Sequence, residues 1–149
     1  MNRGVDPFKY MVATLGLPIK VFKEDYKWEN SKIEKVAEDI LYQMEFIQTD
    51  DEFSFKDYVD TLEDEVKLSI DKIFKETITS NTAEDISMIN FFGLPVLALF
   101  DKNSFSEEDC VDFVVKLRRY YDHWKRGFIS AYDLRRLIKE TTGMTITRN

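Results

Sequence analysis

Ser130-Ala-Tyr-Asp133-Leu-Arg-Arg-Leu-Ile-Lys-Glu-Thr-Thr-Gly143 holds a helix start and a helix stop in one short stretch. Ser130, with an acid three residues on at Asp133, forms a capping box, in which two side chains satisfy amide donors left unpaired by the first turn. Gly143 supplies the left-handed residue that closes many helices. The stretch predicts a helix over 131–142. Outward from it the same grammar recurs at Ser31 with Glu34, Ser54 with Asp57, Thr82 with Asp85, and Ser106 with Asp109. Asp6 ahead of Pro7 marks a sixth start, because proline at the first helical position gives up an amide that would be unpaired anyway. Gly16, Gly93, Gly127 and Gly143 fall where helices should stop.

Apolar spacing agrees. Phe8, Met11, Val12 and Leu15 mark the first helix, and Ile33, Val36, Ala37, Ile40, Leu41, Met44 and Ile47 the second, at the three-and-four spacing of one buried face. Further helices are predicted over 55–79, 83–92, 107–125 and 131–142. Five glycines and three prolines are too few for a β protein, which needs turn residues every 8 to 12 positions or so. The expectation is an all-α domain of about six helices in a compact bundle, spanning 1–149.

The tripeptide Gly-Leu-Pro occurs at 16–18 and again at 93–95, 77 residues on, while the caps Ser54 and Ser130 lie 76 apart. One reading is a two-fold repeat of similar helix-turn-helix halves, 1–80 and 81–149; the other is coincidence.

The longest apolar run, Phe91 to Phe100, has ten residues, against about 20 for a membrane span. The first residues lack a signal-peptide apolar core. With Cys110 as the single cysteine, these features predict a cytoplasmic protein with no membrane partner. The net charge of −7 is uneven: residues 1–109 carry 12 Lys+Arg against 24 Asp+Glu, a balance of −12, and residues 110–149 carry 9 against 4, a balance of +5. An acidic body with a basic C-terminal quarter suits an acidic partner, self-pairing or nucleic acid.

Asp122, Gly127, Ile129 and Asp133 give residues 122–143 the outline of a calcium loop followed by a helix. This segment resembles the last hand of the calmodulin-like EF-hand family, with a fainter echo at 46–59. A calcium loop supplies oxygen from its first, third, fifth, seventh, ninth and twelfth positions. Here Trp124 is third and Arg126 fifth, and Phe46 stands first in the echo, so neither loop is expected to bind calcium. A plain helix-turn-helix corner would use the same glycine, isoleucine and cap. A true but ion-dead hand would imply a light-chain-like grip on a partner helix.

Candidates for chemistry are few. Cys110 lies on one stripe with Phe113, Val114, Leu117, Tyr121 and Trp124 at 100° per residue, whereas His123, the only histidine, points about 140° away. No thiol–imidazole pair is expected, and one histidine with one cysteine cannot build the usual zinc or haem sites. The acid runs at 50–52, 63–65 and 107–109 fan around helices instead of converging. No phosphate loop or nucleophile elbow occurs. The sequence therefore predicts no enzyme, metal or cofactor.

Two leads remain. Lys116, Arg118, Arg119, Lys125 and Arg126, followed by Arg135, Arg136 and Lys139, form a basic C-terminal face. It could be a solvated face or pair with the acidic body of the same chain, bind an acidic protein surface or, as the alternative, contact nucleic-acid phosphates. Phe91, Phe92, Leu94, Val96, Leu97 and Phe100 are candidates for an apolar patch that grips another protein, the other reading being core. The expected function is a protein-binding adaptor, regulator or assembly factor.

Overall fold

The computed structural model describes residues 7–48, 59–60, 62–77, 89 and 92–146. Among them, with no strand, are α1 (Pro7–Lys20), π1 (Val21–Asp25), α2 (Asn30–Gln48), α3 (Asp64–Thr77), α4 (92–97), π2 (Ala98–Lys102), α5 (Glu107–Lys125) and α6 (Ala131–Thr142), where π marks a π-helical turn, and further helical residues at 59–60 and 89. The fold is all-α, as its caps and spacing predict.

Local chemistry accounts for the ends of α5 and α6. At α5 the Asp109 amide donates to Ser106 Oγ at 3.0 Å and the Ser106 amide donates to Asp109 Oδ2 at 3.1 Å. At α6, Ser130 and Asp133 do the same at 3.0 and 3.2 Å. Gly127 (φ 85°) and Gly143 (φ 77°) take the left-handed conformation that suits glycine. The Ser54 and Thr82 boxes lie outside the described residues. Ser31 falls inside the first turn of α2, which begins at Asn30 under the Glu29 carbonyl.

Three expectations are corrected. Gly16 does not end α1, which continues through Pro18 to Lys20. A Cβ on Gly16 would lie 2.9 Å from Leu134 Cβ, so this glycine serves the close packing of α1 against α6. Gly93 likewise lies within helical residues, 92–97. The long helix predicted over 55–79 is interrupted at 62–63, and α3 starts afresh at Asp64, with residues 78 and 79 outside the described ones.

The 77-residue offset extends well beyond the tripeptide. π1 and π2 are 77 apart at both ends, and so are α2 and α5, each of 19 residues. The two non-glycine residues with positive φ, Lys27 (57°) and Ser104 (60°), are also 77 apart. The Trp28 amide donates to the Phe22 carbonyl at 3.0 Å, and Phe105, 77 on, donates to Leu99 at 3.1 Å. In each copy a proline lies three residues ahead of the π turn, Pro18 before Val21 and Pro95 before Ala98. Proline removes one amide from the helical ladder. The wider turn then closes with a bond such as Tyr26 N–H to Val21 O, 3.0 Å.

The compact units do not coincide with the halves 1–80 and 81–149. One comprises residues 1–37 and 116–149, the other 38–115, so each draws on both copies of the repeat. In the first, Phe22 stacks on Trp28 at 4.6 Å, Tyr10 meets Trp124 edge-on at 5.2 Å, and Val12, Leu15, Ile19, Leu134 and Ile138 are buried. In the second, Ile40, Ile70, Ile73, Phe92, Val96 and Phe113 are buried.

This partition regroups the charge. The first unit holds 16 Lys+Arg against 8 Asp+Glu, a net +8, and the second 5 against 20, a net −15. The basic C-terminal quarter is thus joined by an N-terminal segment that is itself slightly basic.

Candidate binding surface

In the second unit, the apolar patch expected at 91–100 is corrected. Phe92, Leu94, Val96 and Leu97 are buried, Phe100 is half-buried, and Phe91 lies outside the described residues. Continuous hydrophobicity here reflects burial on all sides of α4 and at the start of π2, which removes these four side chains from any docking surface. Polar contacts in the same unit hold loops in place: Asn103 Nδ2 donates to the Ala98 carbonyl (2.8 Å) and to Asp39 Oδ2 (3.2 Å). Ser69 Oγ donates to Glu107 at 2.7 Å, and Lys72 Nζ pairs with the same carboxylate at 3.2 Å, which together lower the Glu107 pKa.

Cys110 is fully buried on the predicted stripe, and burial pushes its thiol up to about 12, assisted by Asp109 and Glu107. It is a core atom without thiolate character at neutral pH. His123 is exposed and meets Phe128 edge-on at 6.2 Å. Among the described residues, no three His, Cys, Asp or Glu side chains gather as metal ligands would, and no helix is long and apolar enough to cross a membrane.

At the corner resembling a calcium hand, Trp124 is buried against Tyr10 and Tyr121, with Lys9 Nζ 5.3 Å from its ring centre. Asp133 is occupied by the α6 cap, where the Ser130 amide and then its hydroxyl hold it below the usual carboxylate range. Arg126 projects into solvent.

The basic face divides into engaged and available groups. Arg119 reaches back to Asp25 at the end of π1, with Nη2 3.1 and 3.2 Å from its two oxygens. Tyr120 donates toward Glu24 and Asp25 at 3.2 Å, and burial raises the pKa of this hydroxyl. Lys125 contacts Tyr10 Oη at 3.4 Å. Lys116 and Arg118 are half-buried. Arg126 and Lys139 are exposed and make no ion pair among the described residues.

A groove of about 420 Å³ lies on this face between α6 and the segment that follows it, lined by Tyr132, Arg135, Arg136, Lys139, Thr145 and Ile146. Ser130 and Asp133 fix the start of the helix, while buried Leu134 and Ile138 fix its inner side, so Tyr132, Arg135, Arg136 and Lys139 stand on the outer side one to two turns apart. Arg135 is held in place by the Ile146 carbonyl (2.9 Å) and the Phe8 ring (5.6 Å). Arg136 is held by Glu140 at 2.9 Å. A smaller hollow of about 220 Å³ on the neighbouring side includes Lys20, Asp133, Arg136 and Leu137.

The structure therefore gathers Arg135, Arg136 and Lys139 in one groove and diverts Arg119 to an internal pair. Tyr132, 70% exposed, and Phe128, 72% exposed, are functional candidates that sequence reasoning missed. Their only signal was position, just after the glycine corner and at the first turn of α6. No known family, curated protein or solved structure matches the chain.

Proposed function

We propose that this chain is a non-catalytic, cytoplasmic protein-binding module that docks an acidic segment of another protein on the outer side of α6, without calcium. The observation that carries the reading is the groove of about 420 Å³ in which three cations surround the exposed ring of Tyr132, on a unit of net charge +8. Aromatic and arginine side chains together are the composition of strong protein interfaces, and a cationic rim speeds encounter with an acidic partner. Burial of Cys110, with its thiol pushed up to about 12, speaks against a nucleophilic thiol.

The exposed rings of Phe128 and Tyr132 beside arginines also favour a second reading, stacking of single-stranded nucleic acid. Fluorescence anisotropy with a labelled acidic peptide containing one aromatic residue, and with an RNA homopolymer of similar length, separates the two. The peptide is expected to bind, and Arg135→Glu with Lys139→Glu to weaken it at least tenfold, about 1.4 kcal/mol. RNA binding with no peptide binding, or peptide binding untouched by the double variant, would overturn the reading.

A further inference from the structure

We propose that copies of this chain associate head to tail, the acidic outer side of α3 in one copy docking on the basic groove of α6 in the next. The inference rests on the reading of α6 as a docking face and supplies an occupant that needs no other protein.

The two faces match in charge and form. On α3, Leu68 is 69% exposed, with Asp64 four residues before it, Glu65 three before and Asp71 three after, all exposed. These spacings place the carboxylates around one apolar side chain on one side of the helix. On α6, Tyr132 is 70% exposed, with Arg135, Arg136 and Lys139 three, four and seven residues on. Each face sets an exposed apolar group beside charges mainly of one sign, and the dominant signs are opposite. Most groups of contrary charge nearby are already engaged: Lys67 pairs with Asp60 at 2.9 Å, Lys72 with Glu107 at 3.2 Å and Glu140 with Arg136 at 2.9 Å, and Asp133 is held in its cap, while Lys75 stays exposed on the same side of α3.

The wider fields point the same way, since the unit carrying α3 has net charge −15 and the unit carrying α6 has +8. Like faces repel, which disfavours a two-fold pairing of α3 on α3 or α6 on α6. Unlike faces attract, and a contact between two different surfaces repeats from copy to copy. One helix face on another is a small interface, so the association is concentration-dependent and weakened by salt.

Sedimentation velocity on the purified full chain tests this, over about 5 to 500 µM at about 50 mM and 500 mM salt. The mean mass is expected to rise with concentration at low salt and to return to the monomer at high salt. Two charge-reversed variants sharpen the test: Arg135→Glu/Lys139→Glu spoils only the basic face, and Asp64→Lys/Asp71→Lys only the acidic one. All four positions are exposed, and circular dichroism checks that helicity is kept. Each variant alone should stay monomeric, while an equimolar mixture should associate again, because the intact acidic face of one meets the intact basic face of the other. A wild-type chain that remains monomeric throughout, or variants that associate alone as the wild type does, would overturn the proposal. If the wild-type chain is monomeric yet still binds the acidic peptide, only self-association fails; if it binds neither, the docking reading fails with it.

Discussion

Replacing Gly16 by alanine sets two effects of known sign against each other. Glycine in a helix interior is about 1 kcal/mol worse than alanine, so at an open position the change would stabilise α1. Here the new Cβ would stand 2.9 Å from Leu134 Cβ, 3.2 Å from Cδ2 and 3.4 Å from Cγ. Carbon atoms pack best at about 3.5–4.0 Å. A Leu134 rotamer change could clear the outer two contacts but not the first, because both Cβ atoms are fixed to backbone. The helices must move apart by several tenths of an ångström, and overpacking of this kind costs about 1–3 kcal/mol. The net expectation is a loss of up to about 2 kcal/mol in urea unfolding, with an unchanged denaturant slope. A G16A protein more stable than the parent by the full helix-propensity gain of about 1 kcal/mol would refute the close approach of α1 to Leu134.

Two further outcomes are expected. Ser130→Ala should cost about 1 kcal/mol through the lost α6 cap; because the folded Asp133 pKa is depressed below its ordinary 3.8, the cap's contribution is complete above that value and fades as pH falls through the folded one, so Asp133→Asn should remove this acid-side step from the pH–stability curve measured by circular dichroism. Cys110, with its pKa pushed up to about 12, should resist a thiol reagent at pH 8 in the native protein and react within minutes in concentrated urea; rapid native labelling would contradict its burial.

Local chemistry was readable in the chain wherever a signal and its effect lie within a turn of one another. Ser106, Ser130, Gly127 and Gly143 act as their side chains, or the lack of one, dictate, and the stripe from Cys110 to Trp124 is buried as its period requires. Gly16 was misread because its reason sits at Leu134, far along the chain, and no local pattern distinguishes a glycine needed for close packing from one needed for a turn. The same distance hid the charge segregation, which appears only once the first 37 residues are grouped with the last 34. The run at 91–100 was ambiguous on its face, since an apolar segment reads alike whether it faces a partner or the interior of its own chain.

The interleaved composition of the two units sets an order for biosynthesis. Residues 38–115 are all synthesised before residue 116, whereas the other unit needs residues made after them. Val12, Leu15 and Ile19 on α1 must wait for the part of the chain that carries Leu134 and Ile138. Until then the nascent polypeptide exposes a greasy stripe near its leading end, an early client for ribosome-associated chaperones.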